Sequence, residues 1–193
     1  MSPQDLLDIL KIASSLKINT RHCWMSEDRK ESVADHSWRL ALFAMLLKDE
    51  EDFRNIDMDK VIRMCLIHDM GEAFTGDIPT FLKLQSDVEK EDEILMKWVE
   101  SLPENISRSW KELLTEMNEQ ITIEAKIYKA LDKLETLISH NESDISTWLE
   151  LEYDLQFSYG QENMKCMPYF MNLRKAVDAW TTEKISESKE DDL

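Results

Sequence analysis

A few polar residues in this sequence interrupt an otherwise apolar helical period. His36 lies four residues before Leu40 and seven before Phe43, which puts it on the apolar face of its own segment. His68 follows Val61 and Cys65 in the same way. Asp69 is its neighbour, Glu72 lies one turn further on, and Asp132 is embedded in the apolar run KALDKLETLI. A carboxylate on a core face is costly unless it is paired or holds a cation, and several that converge repel one another unless positive charge lies between them. Imidazole with carboxylate is a ligand set for zinc, manganese, iron, cobalt or nickel, and a mixed set leaves positions open for water or substrate. The pattern points to a catalytic divalent metal site.

Each of these residues has a plainer role when taken alone. His36 is then a satisfied core histidine, Asp35 a helix cap, Asp69 a partner for a neighbouring helix end and Glu72 a solvated helix terminus. Asp77, in TGDIP, is ordinary turn chemistry, and Asp132 pairs with Lys129 or Lys133 at the surface. The joint arrangement favours the metal.

Wherever the apolar period is clear it is helical, so the elements that position these residues are expected to form an all-α fold, a single compact helical bundle. Leu6, Ile9, Leu10, Ala13 and Leu16 form the inward stripe of a first helix, and RHCWMSEDRKE reads as a loop. Ser32 caps a second helix with Asp35 in the capping-box position, and Asp57 caps a third that ends near Gly71 or Ala73. AFTGDIPT is a loop, a helix follows over about residues 81–101, and Pro103 opens the next. A buried helix over 121–139 and two more over 147–157 and 168–185 complete the chain. One domain is expected over 1–185, with SESKEDDL at 186–193 as an acidic, disordered tail.

Composition narrows the function further. Forty acidic residues against 23 Lys and Arg give a net charge of −17, which disfavours a nucleic-acid polymer as partner, since phosphate-backbone affinity comes from Lys and Arg. The three glycines, Gly71, Gly76 and Gly160, fit neither a Rossmann fingerprint nor a P-loop. No stretch approaches the roughly 18 apolar residues of a membrane span. The three cysteines, Cys23, Cys65 and Cys166, suggest no disulfide framework, so a cytoplasmic protein without a signal peptide is expected.

The ordered set His36, HDMGE at 68–72 and Asp132 in KALDKLE resembles the HD metal-dependent phosphohydrolase superfamily, whose pattern is H…HD…D. ESVADHSWRLA and HDMGEAFTGDIPT resemble its branch of bacterial 5′-deoxynucleotidases and their eukaryotic HD-domain relatives, over about residues 20–140. The resemblance implies metal ligands His36, His68, Asp69 and Asp132, catalytic acidic residues Glu72 and Asp77, and Arg21 on the substrate phosphate, with Arg29 and Lys30 as rivals for that role. His22 stands where bacterial members carry a Trp implicated in telling deoxyribose from ribose; it is a candidate sugar contact, a proton donor or a plain loop residue. No histidine lies between His68 and His140, which implies one divalent metal ion (Mn, Co, Ni, Fe, Mg or Zn) rather than two.

The implied activity is hydrolysis of nucleoside 5′-monophosphates, with deoxy forms favoured, by attack of a metal-activated water to give nucleoside and phosphate. The alternatives are an HD hydrolase for a nucleoside triphosphate or a guanosine alarmone, whose branches carry more basic pockets than this chain's scattered Lys and Arg suggest, and a non-catalytic helical metal-binding module. Apolar residues near Trp148, Leu149, Leu151 and Tyr153 could serve a homodimer.

Overall fold

The computed structural model describes residues 1–191. Helices dominate it. Helix α1 (Pro3–Ala13) starts from a Ser2/Asp5 capping box and runs into a short 3-10 turn, Ser14–Lys17. Only Leu16 of its expected stripe is fully buried: Leu6 and Leu10 face outward, and Ile9, Ile12 and Ala13 are the half-buried side of the helix.

The stretch expected as a loop is an antiparallel hairpin, β1 (Thr20–Ser26) and β2 (Arg29–Ser32), paired Thr20 to Ser32 and Trp24 to Lys30. Hydropathy hides it because two of the residues it buries, Glu31 and Ser32, are polar, alongside Cys23. What those strands pack into is a polar network, so no apolar alternation marks them.

Helix α2 (Val33–Leu47) begins at Ser32, whose hydroxyl accepts from the Asp35 N–H while the Asp35 carboxylate accepts from the Ser32 N–H. Asp57 likewise caps α3 (Met58–Ile67) through the Lys60 N–H. That helix stops earlier than expected, with His68 as its C-cap. His68 to Gly71 form a tight turn into the one-turn helix α4 (Glu72–Thr75). After a turn at Pro79, α5 (Gln85–Ser101) begins four residues later than expected, and α6 (Glu104–Glu119) follows Pro103.

Helix α7 (Ile123–Glu142) is the axis of the molecule, packed against α2, α3, α6 and the hairpin, and also against α9 (Gln161–Met164) and α10 (Pro168–Asp191). Its Ala125, Ile127, Ala130, Leu131 and Leu134 are fully enclosed. Between α7 and α9 in sequence, α8 (Glu150–Ser158) contributes Glu152, Leu155 and Gln156 to the wall of a cavity. Helix α10 extends to Asp191, so the boundary expected after residue 185 falls within a helix; Asp192 and Leu193 lie outside the described residues. Among the described residues no helix is long and apolar enough to cross a membrane.

Candidate metal centre and cavity

Four side chains from three parts of the chain meet around one point. His36 comes from α2, His68 and Asp69 from the turn after α3, and Asp132 from the middle of α7. The two imidazole Nε2 atoms are 3.1 Å apart. Asp69 Oδ2 lies 2.9 Å from His68 Nε2 and 3.8 Å from His36 Nε2, and Asp132 Oδ1 lies 3.4 Å and 3.8 Å from His36 and His68. His36, His68 and Asp69 have the spacing of ligand atoms that share a cation, and Asp132 Oδ1 faces both histidines from α7.

The opposite ring nitrogens are already engaged. His68 Nδ1 donates to the Cys65 carbonyl at 2.9 Å, and His36 Nδ1 donates to Glu135 Oε2. Both Nε2 atoms therefore point at the same place, where a cation or a proton must lie between them. Burial and Arg21 oppose charge on His36, but Glu135 and hydrogen bonds to Asp132 and Glu135 raise its pKa to about 9. Burial likewise works against an ionised Asp69, yet the charge and hydrogen bond of His68, with His36, hold its carboxyl well below the usual range. A group of acceptors that draws positive charge to its centre fits a divalent ion with imidazole and carboxylate ligands.

Beside this centre is a cavity of about 400 Å³, within the usual span of small-molecule sites, about 300–1,000 Å³. Glu72 and Asp77 both line it. Glu72 is 4% exposed, and its Oε2 has no hydrogen-bond partner among the described residues, so it is neither a solvated helix end nor a cap. Burial, with the charges of Asp69 and Asp77, pushes its pKa up to about 10. Asp77 is raised as well, by burial first. Gly76, just before it, has φ 75° and ψ 164°, a region essentially reserved for glycine, and this lets the chain turn Asp77 into the cavity wall. Gly71 serves differently: its backbone is ordinary, but a Cβ there would meet Glu91 Cγ at 2.7 Å.

Arg21 is distinguished from its rivals. Its guanidinium lies on the cavity wall, 3.1 Å from Glu31 and 3.7 Å from Asp69, and donates to Thr136 at 3.0 Å. Arg29 instead pairs with Asp35 at the surface, and Lys30 sits over the Trp24 ring. His22 also lines the cavity, 3.2 Å from Glu152 and edge-on to Phe81, whereas Trp24 is not among its walls.

Sequence reasoning missed several neighbours. Lys83, Lys129 and Lys133 join Arg21 on the cavity wall, so the cations scattered in sequence are gathered in space. They are matched: Lys83 lies 2.7 Å from Glu91, and Lys129 and Lys133 lie 3.1 and 3.3 Å from Asp132 Oδ2. Asp132 thus has both of its anticipated partners, but it is 7% exposed and its second oxygen faces the histidines. Glu31 and Glu135, each 1% exposed behind His36, were missed too. Glu135 did carry a signal, since it falls four residues after Leu131 and three before Ile138 on the apolar face of α7. Trp148, expected as a spare apolar residue, is buried against His140 with its indole N–H on the His140 carbonyl.

A helical bundle whose core gathers imidazole and carboxylate beside a polar cavity has the makings of a metal-dependent hydrolase. A profile of the HD domain matches residues 13–174, and the chain belongs to the HD-domain family. The human 5′-deoxynucleotidase HDDC2 is 32% identical over 143 residues, which cover 72% of this chain and 68% of the human one. The Dictyostelium discoideum 5′-deoxynucleotidase HDDC2 is 30% identical over 176 residues, 87% of each chain. A crystal structure described as a "predicted metal-dependent phosphohydrolase" from Magnetospirillum magnetotacticum shares the fold, with TM-score 0.78 over 96% of both chains at 23% identity.

Proposed function

We propose that this protein is a metal-dependent phosphomonoesterase that hydrolyses deoxynucleoside 5′-monophosphates to nucleoside and phosphate. The observation that carries this reading is the convergence of His36, His68, Asp69 and Asp132 beside a buried Glu72, one of whose carboxylate oxygens has no partner among the described residues. A staple would have no use for that acid. The names of the similar 5′-deoxynucleotidases support the choice of substrate.

In this account His36, His68, Asp69 and Asp132 hold one divalent ion, which when bound polarises water and the phosphoryl group. Glu72 and Asp77 act as a proton-transfer pair, one accepting a proton from the attacking water and the other giving one to the leaving ribose oxygen. Arg21, always charged, directs its guanidinium at the phosphate oxygens as negative charge builds on them, and Glu31 and Thr136 fix its orientation. His22, beside Glu152 and Phe81 on the cavity wall, is placed to contact the sugar of the bound nucleotide. Because each cavity lysine is already matched to a carboxylate, little positive charge is left over for a polyphosphate chain, and a monophosphate suits the site better. The free Cys23, Cys65 and Cys166 accord with a reducing compartment.

The test is phosphate release from each ribo- and deoxyribonucleoside 5′-monophosphate with Mn, Co, Ni, Mg and Zn in turn. Release from deoxy forms above ribo forms is expected. Release only from triphosphates, or none with any metal, overturns the proposal.

A further inference from the structure

Directly behind the candidate metal centre lies a second buried cluster, Glu31, His36 and Glu135, whose ligand-capable atoms also crowd together. Every carboxylate oxygen in it is already matched to a donor. Glu31 Oε2 accepts from Arg21 Nε at 3.1 Å and Oε1 from Ser139 Oγ at 2.8 Å. Glu135 Oε1 accepts from Arg39 Nε at 2.6 Å, and Oε2 takes the His36 Nδ1–H. Two guanidinium groups offset two carboxylates, so this cluster needs no metal of its own.

We infer that Glu135, held by Arg39, is a positioning residue that fixes the tautomer and orientation of His36 and so raises the affinity of the centre for its metal. The inference rests on the metal site proposed above. Asp132 and Glu135 stand three apart on α7 and act on the two nitrogens of one imidazole, Asp132 Oδ1 at 3.4 Å from Nε2 and Glu135 on Nδ1. With the proton drawn to Nδ1, the Nε2 lone pair is free to coordinate, and the anion behind the ring makes it a better donor. Arg39 does the complementary job. It makes a fork across Glu135, Ser139 and Glu142, which occupy successive turns of α7, and so holds Glu135 pointed at the ring.

The experiment is calorimetric titration of Mn²⁺ into chelator-stripped full-length protein, for wild type, Glu135→Gln, Arg39→Met and Glu31→Gln. Loss of a carboxylate behind a ligating histidine costs about 10- to 100-fold in metal affinity, and that loss is expected for Glu135→Gln, with a smaller one for Arg39→Met. Glu31→Gln disturbs the same buried network but removes no hydrogen bond to His36, so its Mn²⁺ affinity should stay near wild type. Proton NMR of the stripped proteins supplies a second readout: the His36 Nδ1–H, hydrogen-bonded to a carboxylate, resonates far downfield in wild type and moves upfield in Glu135→Gln. Wild-type affinity in Glu135→Gln overturns the inference, as does equal weakening in Glu31→Gln, which would mean the network acts through packing alone. Failure of wild type to bind any Mn²⁺ would count against the metal site itself, and the NMR signal would still decide whether Glu135 sets the tautomer.

Discussion

His36 separates two buried polar clusters of opposite character. On its Nδ1 side, Glu31 and Glu135 each meet an arginine, the Ser139 hydroxyl donates to Glu31 and His36 to Glu135, and every oxygen has a donor. On its Nε2 side, two imidazole lone pairs and the oxygens of Asp69 and Asp132 face one another, and the nearby Glu72 keeps an oxygen without a partner. Buried charge that is fully matched holds a structure in one arrangement, whereas buried acceptors left facing each other are stable only with a cation or a proton among them. The contrast separates scaffold from chemistry in residues of the same type, a few ångströms apart.

Substitutions on the two sides should therefore fail differently. His68→Ala removes an inward-facing ligand atom, and the account expects loss of bound divalent metal together with loss of turnover to background, read by elemental analysis and phosphate release. Retained metal would erase the distinction. Glu72→Gln should leave metal content intact while kcat falls by about 10²- to 10⁴-fold, the usual contribution of a proton-transfer group. Arg21 belongs to both sides. Arg21→Ala is expected to lower kcat/KM by about 10- to 100-fold, since a charged hydrogen bond is worth about 1.5–3 kcal/mol. It should also lower Tm, because Glu31 would be left buried without its guanidinium. At the small end, Arg29 pairs with Asp35 at the surface, where such pairs contribute about 0–1 kcal/mol. Arg29→Ala should leave kcat/KM at the wild-type value, and a large loss there would return the phosphate role to the hairpin turn.

The Nε2 side was the legible one. His36 and Asp132 broke an apolar period, and His68 and Asp69 fell where that period ended, so the conflict between residue type and position announced them. The helices carried the same clarity, since Ser32 and Asp57 announce their starts by capping chemistry that depends on local spacing alone. The Nδ1 side was harder to see. Glu31 sits in a polar strand and is buried only because α2 and α7 close over it, a long-range event that leaves no periodic trace. The hairpin was missed for the same reason. The first helix erred the other way: Leu6 and Leu10 look like core residues, but α1 lies at the rim and leaves that face outside. The gathering of cations on the cavity wall was hidden too, because Arg21, Lys83 and Lys129 are scattered in sequence and meet only in the fold.

The most direct test of the central claim is phosphate release from deoxynucleoside 5′-monophosphates by chelator-stripped wild-type protein as a single divalent metal is added back. The account predicts no release before addition and full release near one equivalent of metal per chain. Release by the stripped protein at the wild-type rate, or none at any metal level, would contradict it.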